Sequence, residues 1–129
     1  MRLKRLEISG FKSFAKKSVI QFEAPISAIV GPNGSGKSNV AESIRFALGE
    51  QSIKSLRGKR GEDLIWNGSK TTPRSNLGSV SLVFDNTKKI FEYDYDEISL
   101  RRDVHRDGVN EYFINNSQVR LKDIHELLS

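Results

Sequence analysis

The chain has 129 residues, 36% hydrophobic and 29% charged, a net charge of +5 and a pI of about 9.6. That length suits one domain with a hydrophobic core and is short for two, while the basic balance permits a nucleic-acid partner. No cysteine is present, which excludes disulfides and thiolate metal sites, and no apolar run reaches the length of a signal peptide or a membrane span. The expectation is a cytoplasmic protein without membrane contact, undivided by repeats or linkers.

In chain order, Leu6 and Ile8 alternate with polar neighbours and predict a half-buried strand ending at Gly10. Ile20 and Phe22 predict a second strand, which Ala24 and Pro25 break. Between them lies the turn Phe11-Lys12-Ser13-Phe14, a cation and a hydroxyl framed by aromatics. On the residues alone the plainer reading is two core aromatics flanking a solvated Lys and Ser, with a ligand contact as the alternative. Ile26, Ala28, Ile29 and Val30 then form the near-continuous apolar run of a buried parallel strand.

Gly31 to Ser38 reads Gly-Pro-Asn-Gly-Ser-Gly-Lys-Ser, which fills the phosphate-loop pattern of Gly, four residues, Gly, Lys, then Ser or Thr. Wrapping a triphosphate in main-chain N–H groups requires residues without side chains where the backbone comes close. Lys37 supplies a compact charge for the β- and γ-phosphates and the Ser38 hydroxyl a magnesium ligand. Val40, Ile44, Ala47 and Leu48 recur at helical spacing, with Ala41 and Phe46 on other faces and Gly49 as C-cap. Strand, glycine loop and helix thus follow in the order the chemistry needs, and the helix dipole adds its positive end.

Ser52 to Leu56 predicts a single helical turn. Lys54, Arg57, Lys59 and Arg60 form a run without an acid, for which solvated surface and phosphate or DNA contact both stay open. Trp66 is expected to pack in the core, and Lys70 to Asn76, with Pro73, to be an exposed loop. From Val80 the period becomes two: Val80, Leu82 and Phe84 face one way and Asp85-Asn86-Thr87 turns the chain. Ile98, Leu100 and Val104 line the next strand, Asp107-Gly108 makes a hairpin turn, Tyr112 and Ile114 return, and Asn115-Asn116 turns again. Leu121, Ile124 and Leu128 mark a closing helix.

A triphosphatase also needs a magnesium carboxylate and a group that activates water. Asp85 ends an alternating strand and is followed at once by a turn, so it reads as a turn residue. His105 and His125 have no neighbouring nucleophile and read as surface or satisfied-core histidines.

Taken together, Leu6 to Phe14, Gly31 to Asn39, Ala47 to Ser52, Lys54 to Gly58, Phe84-Asp85-Asn86, Tyr112 to Asn115 and Arg120 to Ile124 resemble the N-terminal ATPase lobe of bacterial-type structural maintenance of chromosomes (SMC) proteins. The resemblance implies an α/β fold, a P-loop ABC-type ATPase N-terminal lobe with an added antiparallel β-sheet. Its parts would be a nucleotide-binding part at 1–68, antiparallel strands at 78–120 and the start of a helix at 121–129. It further implies that Pro32, Asn33, Gly34, Ser35, Gly36, Lys37, Ser38 and Asn39 bind ATP with Mg2+. By the same likeness Lys12 and Ser13 approach the phosphates, and Asp63, Leu64 and Ile65 lie by the adenine. Arg57 takes the arginine-loop position, and Lys59, Arg60, Arg120 and Lys122 face DNA.

The implied partners are a C-terminal head lobe, a second and identical SMC head, DNA and an accessory kleisin-type subunit, in a nucleoid-associated cytoplasmic setting. Departures from the family pattern limit the chemistry of this chain. The signature Ser-Gly-Gly, the second magnesium carboxylate and the catalytic glutamate belong to the family's C-terminal lobe, and Gln51 is not the counterpart of its glutamine loop. The expected activity is therefore half of an ATPase site that drives DNA capture, chromosome condensation and segregation. The alternatives are an ABC-type DNA-repair ATPase lobe of RecF or RecN type, and a nucleotide-dependent DNA-binding module without hydrolysis.

Overall fold

A computed structural model describes residues 2–25, 38–49 and 64–129. It contains strands β1 (Arg2–Ser9) and β2 (Ser18–Pro25), helix α1 (Ser38–Ala47), strands β3 (Leu77–Asp85), β4 (Glu97–His105), β5 (Asn110–Ile114) and β6 (Ser117–Val119), and helix α2 (Leu121–Leu128). All six strands join one antiparallel sheet in the order β2-β1-β3-β4-β5-β6. The hairpin at the start of the chain and the later meander are therefore one layer. The apolar run at 26–30 and the turn at 52–56 lie outside the described residues.

One sheet face is apolar because the strands alternate. Val80, Leu82, Phe84, Ile98, Leu100 and Val104 are all completely buried, and α1 covers them with Ile44, Phe46 and Ala47. Phe46, assigned by spacing to another face of the helix, belongs to this same core. In β1 the inward residues are Leu3, Leu6 and Ile8, a spacing that period two does not allow. A β-bulge between Leu3 and Arg5 absorbs the extra residue and returns Leu3 to the core face.

The turns follow their residue chemistry. Asn115 and Asn116 both have positive φ, at 48° and 68°, the geometry that a two-residue hairpin between right-twisted strands demands. Asp85 accepts the backbone N–H of Thr87 at 2.8 Å and its hydroxyl at 2.7 Å, bonds that hold the carboxyl below its usual range and confirm it as a turn residue. The turn expected at Asp85 to Thr87 is in fact the start of a longer loop running to Asp96. Asn86, buried at 1% exposure, organises that loop by donating to the Tyr93 and Tyr95 carbonyls at 3.0 and 2.8 Å and accepting the Phe91 N–H at 3.0 Å. Phe91 is thereby held in the core against Phe84.

The outer sheet face is polar. Lys4, displaced by the bulge, and Arg5 both reach across β3 to Glu97, Lys4 Nζ at 2.6 Å and Arg5 Nη2 at 3.3 Å. The Lys4 hydrogen bond, followed by that of Arg5, holds the Glu97 carboxyl below its usual range. A lowered folded-state value contributes stability above the unfolded value of about 4.3, which is lost as pH falls through the folded value. Replacing Glu97 by Gln should therefore flatten the decline of stability between about pH 5 and pH 3, measured by urea unfolding at each pH. Identical slopes for the two proteins would refute a role for this network.

Candidate nucleotide-binding site

The turn between β1 and β2 is fastened from two sides. Phe11 and Phe14 exchange backbone bonds, Phe11 N to Phe14 O at 3.2 Å and Phe14 N to Phe11 O at 2.8 Å, so the four-residue turn is tight. It needs left-handed backbone at Gly10 (φ 66°) and at Lys12 (φ 51°). On one side the segment 64–66 pairs with it: the Lys12 N–H donates to Leu64 O at 2.7 Å, and the Trp66 N–H to Gly10 O at 2.8 Å. On the other side lies α1. The Phe11 ring, fully buried, meets Phe46 at 5.0 Å between centroids, and the Lys12 ammonium is paired with the Glu42 carboxylate.

Lys12 is thus not the solvated lysine of the plainer sequence reading. Its side chain is 12% exposed and spans from the hairpin to the second turn of α1. Ser13 sits beside it on the exposed side of the turn. Glu42, an acid that sequence periodicity did not single out, is 3% exposed within a helix otherwise buried through Ala41, Ser43 and Ile44. The one signal in the sequence was its helical position, four residues beyond Ser38, on a stretch whose apolar neighbours face the core.

Leu64 and Ile65 are buried at 3% and 1% exposure, so their side chains pack in the core rather than lying open to a base, and their backbone anchors the Lys12 turn. Arg106 secures the same segment from the β4–β5 turn. It donates to Ser75 O at 2.8 Å, Trp66 O at 2.9 Å and Asn67 Oδ1 at 3.1 Å. Trp66 departs from the expected core role: it is only half-buried, and its indole N–H donates to Pro73 O at 3.1 Å, closing the exposed loop. An amphipathic ring with one polar edge serves that position better than a purely apolar one.

The far end of α1 is held by a cation. Arg102 lies on the apolar face of β4 at 5% exposure, its guanidinium 4.0 Å from the Phe46 ring centroid and 5.1 Å from that of Tyr112. It donates to Phe46 O at 3.0 Å and Asn110 Oδ1 at 2.8 Å. Burial lowers its pKa, opposed by Tyr112, yet a guanidinium remains charged and complements the negative end of the helix dipole. Gly49, with φ 95° and its N–H on Phe46 O at 3.1 Å, ends the helix as expected.

Ser38 is the first residue of α1 and Asn39 the second. Pro32, Asn33, Gly34, Ser35, Gly36, Lys37, Arg57, Lys59, Arg60 and Asp63 lie outside the described residues. Arg120 and Lys122 stand at the start of α2, beyond β6 and thus at the sheet edge opposite the β1–β2 hairpin. The Arg120 backbone N–H donates to Asp123 at 2.9 Å, while both basic side chains are exposed. His105 pairs with Glu111 at 2.6 Å, and His125 is exposed, in keeping with non-catalytic readings.

An antiparallel sheet laid over a helix that begins in a Gly-x4-Gly-Lys-Ser sequence defines a phosphate-binding α/β lobe. The chain belongs to the RecF/RecN/SMC N-terminal domain family, whose model matches residues 2–129. It is 54% identical over 125 residues to the chromosome partition protein Smc of Desulfitobacterium hafniense, an alignment covering 97% of this chain and 10% of that protein. The chain spans about a tenth of the length of the curated relatives it matches.

Among solved structures, an SMC ATPase studied for ATP-driven dimerization and DNA-stimulated activation superposes with a TM-score of 0.86 at 40% identity, covering 99% of this chain and 78% of that one. The Smc head domain from Pyrococcus furiosus, bound to the C-terminal domain of ScpA, gives 0.85 at 37% identity, covering 98% and 32%. The fold is accordingly that of the N-terminal lobe of an SMC head. RecF, at 19% identity and a TM-score of 0.62, shares the fold alone.

Proposed function

We propose that this chain is the ATP-binding half of an SMC head. Joined by a C-terminal lobe and a second, identical head, it hydrolyses ATP to drive DNA capture, chromosome condensation and segregation. The observation that carries the reading is the convergence of the β1–β2 turn on α1, which brings Lys12 to the helix that the glycine loop opens. In this reading Pro32 to Asn39 cradle the phosphates, Lys37 neutralises them, and Lys12 and Ser13 close on them from the hairpin. Asp63 and the backbone of 64–65 border the adenine.

Mg2+ would be held in this reading by the hydroxyl of Ser38, phosphate oxygens and water, the hard oxygen ligands that ion prefers. Its role is to neutralise phosphate charge. In this reading, as the family resemblance implies, the second carboxylate, the catalytic glutamate and the signature motif come from the C-terminal lobe and the opposing head. Arg57 couples DNA engagement to hydrolysis. Lys59, Arg60, Arg120 and Lys122 meet the DNA backbone, for which the exposed cations at the start of α2 are suited. A kleisin-type subunit completes the assembly, in the nucleoid. No helix among the described residues is long and apolar enough to cross a membrane.

A Mg·ATP titration of the chain beside its Lys37→Ala variant, with phosphate release followed in the same samples, tests this reading. Saturable binding by the unsubstituted chain, loss of that binding in Lys37→Ala and no turnover in either is the expected result. Absence of binding by the unsubstituted chain would overturn the proposal, and turnover by the chain alone would refute its assignment as a half-site.

A further inference from the structure

We propose that Glu42 is the positioning residue for Lys12, a buried carboxylate one turn inside α1 that fixes the ammonium of the hairpin turn beside the start of the glycine-loop helix. The inference rests on the ATP-binding reading above and assigns a role within that site to a residue outside the phosphate-loop motif.

Three observations carry it. Glu42 is 3% exposed, and a carboxylate that far from water is tolerated only when charge and hydrogen bonds compensate it. Its cationic partner comes from an element thirty residues earlier in the chain, on a turn whose backbone adopts φ 51° at Lys12 itself. That turn is also held by the Leu64 and Trp66 backbone bonds and by Phe11 against Phe46, contacts that do not pass through the ion pair. What the pair adds is placement of one charge.

Helical rise sets where that charge sits. Glu42 lies four residues beyond Ser38, roughly 6 Å along the helix axis, so an ammonium held by it stays within about one turn of the helix start. A lysine has four rotatable bonds and without a partner sweeps a wide volume; the carboxylate confines it. An ammonium has three donors and Glu42 takes one, which leaves directions for phosphate oxygens. Lys12 in turn masks a buried negative charge that would otherwise repel a polyanion at the helix N-terminus.

The test is a double-mutant cycle on Mg·ATP affinity, read by calorimetry for the chain and its Lys12→Met, Glu42→Gln and doubly substituted forms, with thermal unfolding of each measured without nucleotide. Each single substitution is expected to weaken ATP about tenfold, and Glu42→Gln to have no further effect once Lys12 is Met, the signature of two residues acting as a unit. A merely structural Glu42 would lower affinity equally in both backgrounds, and that result overturns the proposal. Unchanged affinity in Glu42→Gln, with normal binding by the unsubstituted chain, overturns it while sparing the ATP-binding reading. No binding by the unsubstituted chain overturns both. Should Glu42→Gln fail to fold, Glu42→Asp carries the same cycle: it keeps the charge on a shorter arm, and affinity equal to that of the unsubstituted chain would refute positioning.

Discussion

Replacing Gly10 by Ala is expected to destabilise the chain by about 3–5 kcal/mol, since left-handed strain and steric overpacking act at one position. The backbone there has φ 66°, which costs a residue with a Cβ on its own account. Steric overlap costs more. A Cβ at Gly10 would fall far inside van der Waals contact of the Leu77 carbonyl oxygen, a backbone atom at the start of β3 that moves only if the sheet moves. Because the Gly10 carbonyl also accepts the Trp66 N–H, any shift is transmitted to the 64–66 segment and to the Lys12 turn. Urea unfolding measures the loss, and amide exchange at Lys12 and Trp66 should accelerate more than at the β4–β5 turn. A loss below about 1 kcal/mol would mean that β3 yields more readily than its pairing with β1 and β4 implies.

Truncating Arg102 to Ala is expected to cost about 3–4 kcal/mol, combining a large-to-small change in the core with lost hydrogen bonds. The guanidinium lies between the Phe46 and Tyr112 rings and bonds the Phe46 carbonyl and the Asn110 side chain. Removal opens a cavity and strips the Asn110 oxygen of a charged donor. Arg102→Met, which keeps most of the stem volume, should recover part of the loss. Both follow from denaturant midpoints at constant m-value. If Met proved as damaging as Ala, the polar contacts rather than the packing would dominate.

Where one rule governed a segment, the sequence was a sufficient guide. The alternation Val80-Leu82-Phe84 and Ile98-Leu100-Val104, the Asn115-Asn116 turn and the helix after the glycine loop all correspond to elements of the structure. Residues that obey two rules at once were harder to read. Leu3 is inward only because a bulge resets the phase of β1, and nothing in a period-two pattern signals a bulge. Arg102 occupies a core position that polarity argues against, because its partners, a helix-end carbonyl and two rings, come from elsewhere in the chain. Glu42 is the same case with opposite charge. Lys12 was legible as more than a solvated cation only through the family resemblance, since burial depends on a partner that the local sequence does not name.

The strand order also bears on the sequence of events in folding. β3 to β6 are consecutive neighbours joined by local connections, whereas β1 must find β3 across the whole intervening chain, pairing Leu3 with Phe84 and Ile8 with Val80. Closing so long a loop is entropically slow compared with zipping a local meander. The meander can therefore assemble without the N-terminal hairpin. The Lys12 turn meets the 64–66 segment and α1 only where β1 is docked, so the local order of that turn depends on the longest-range strand pairing described in the sheet.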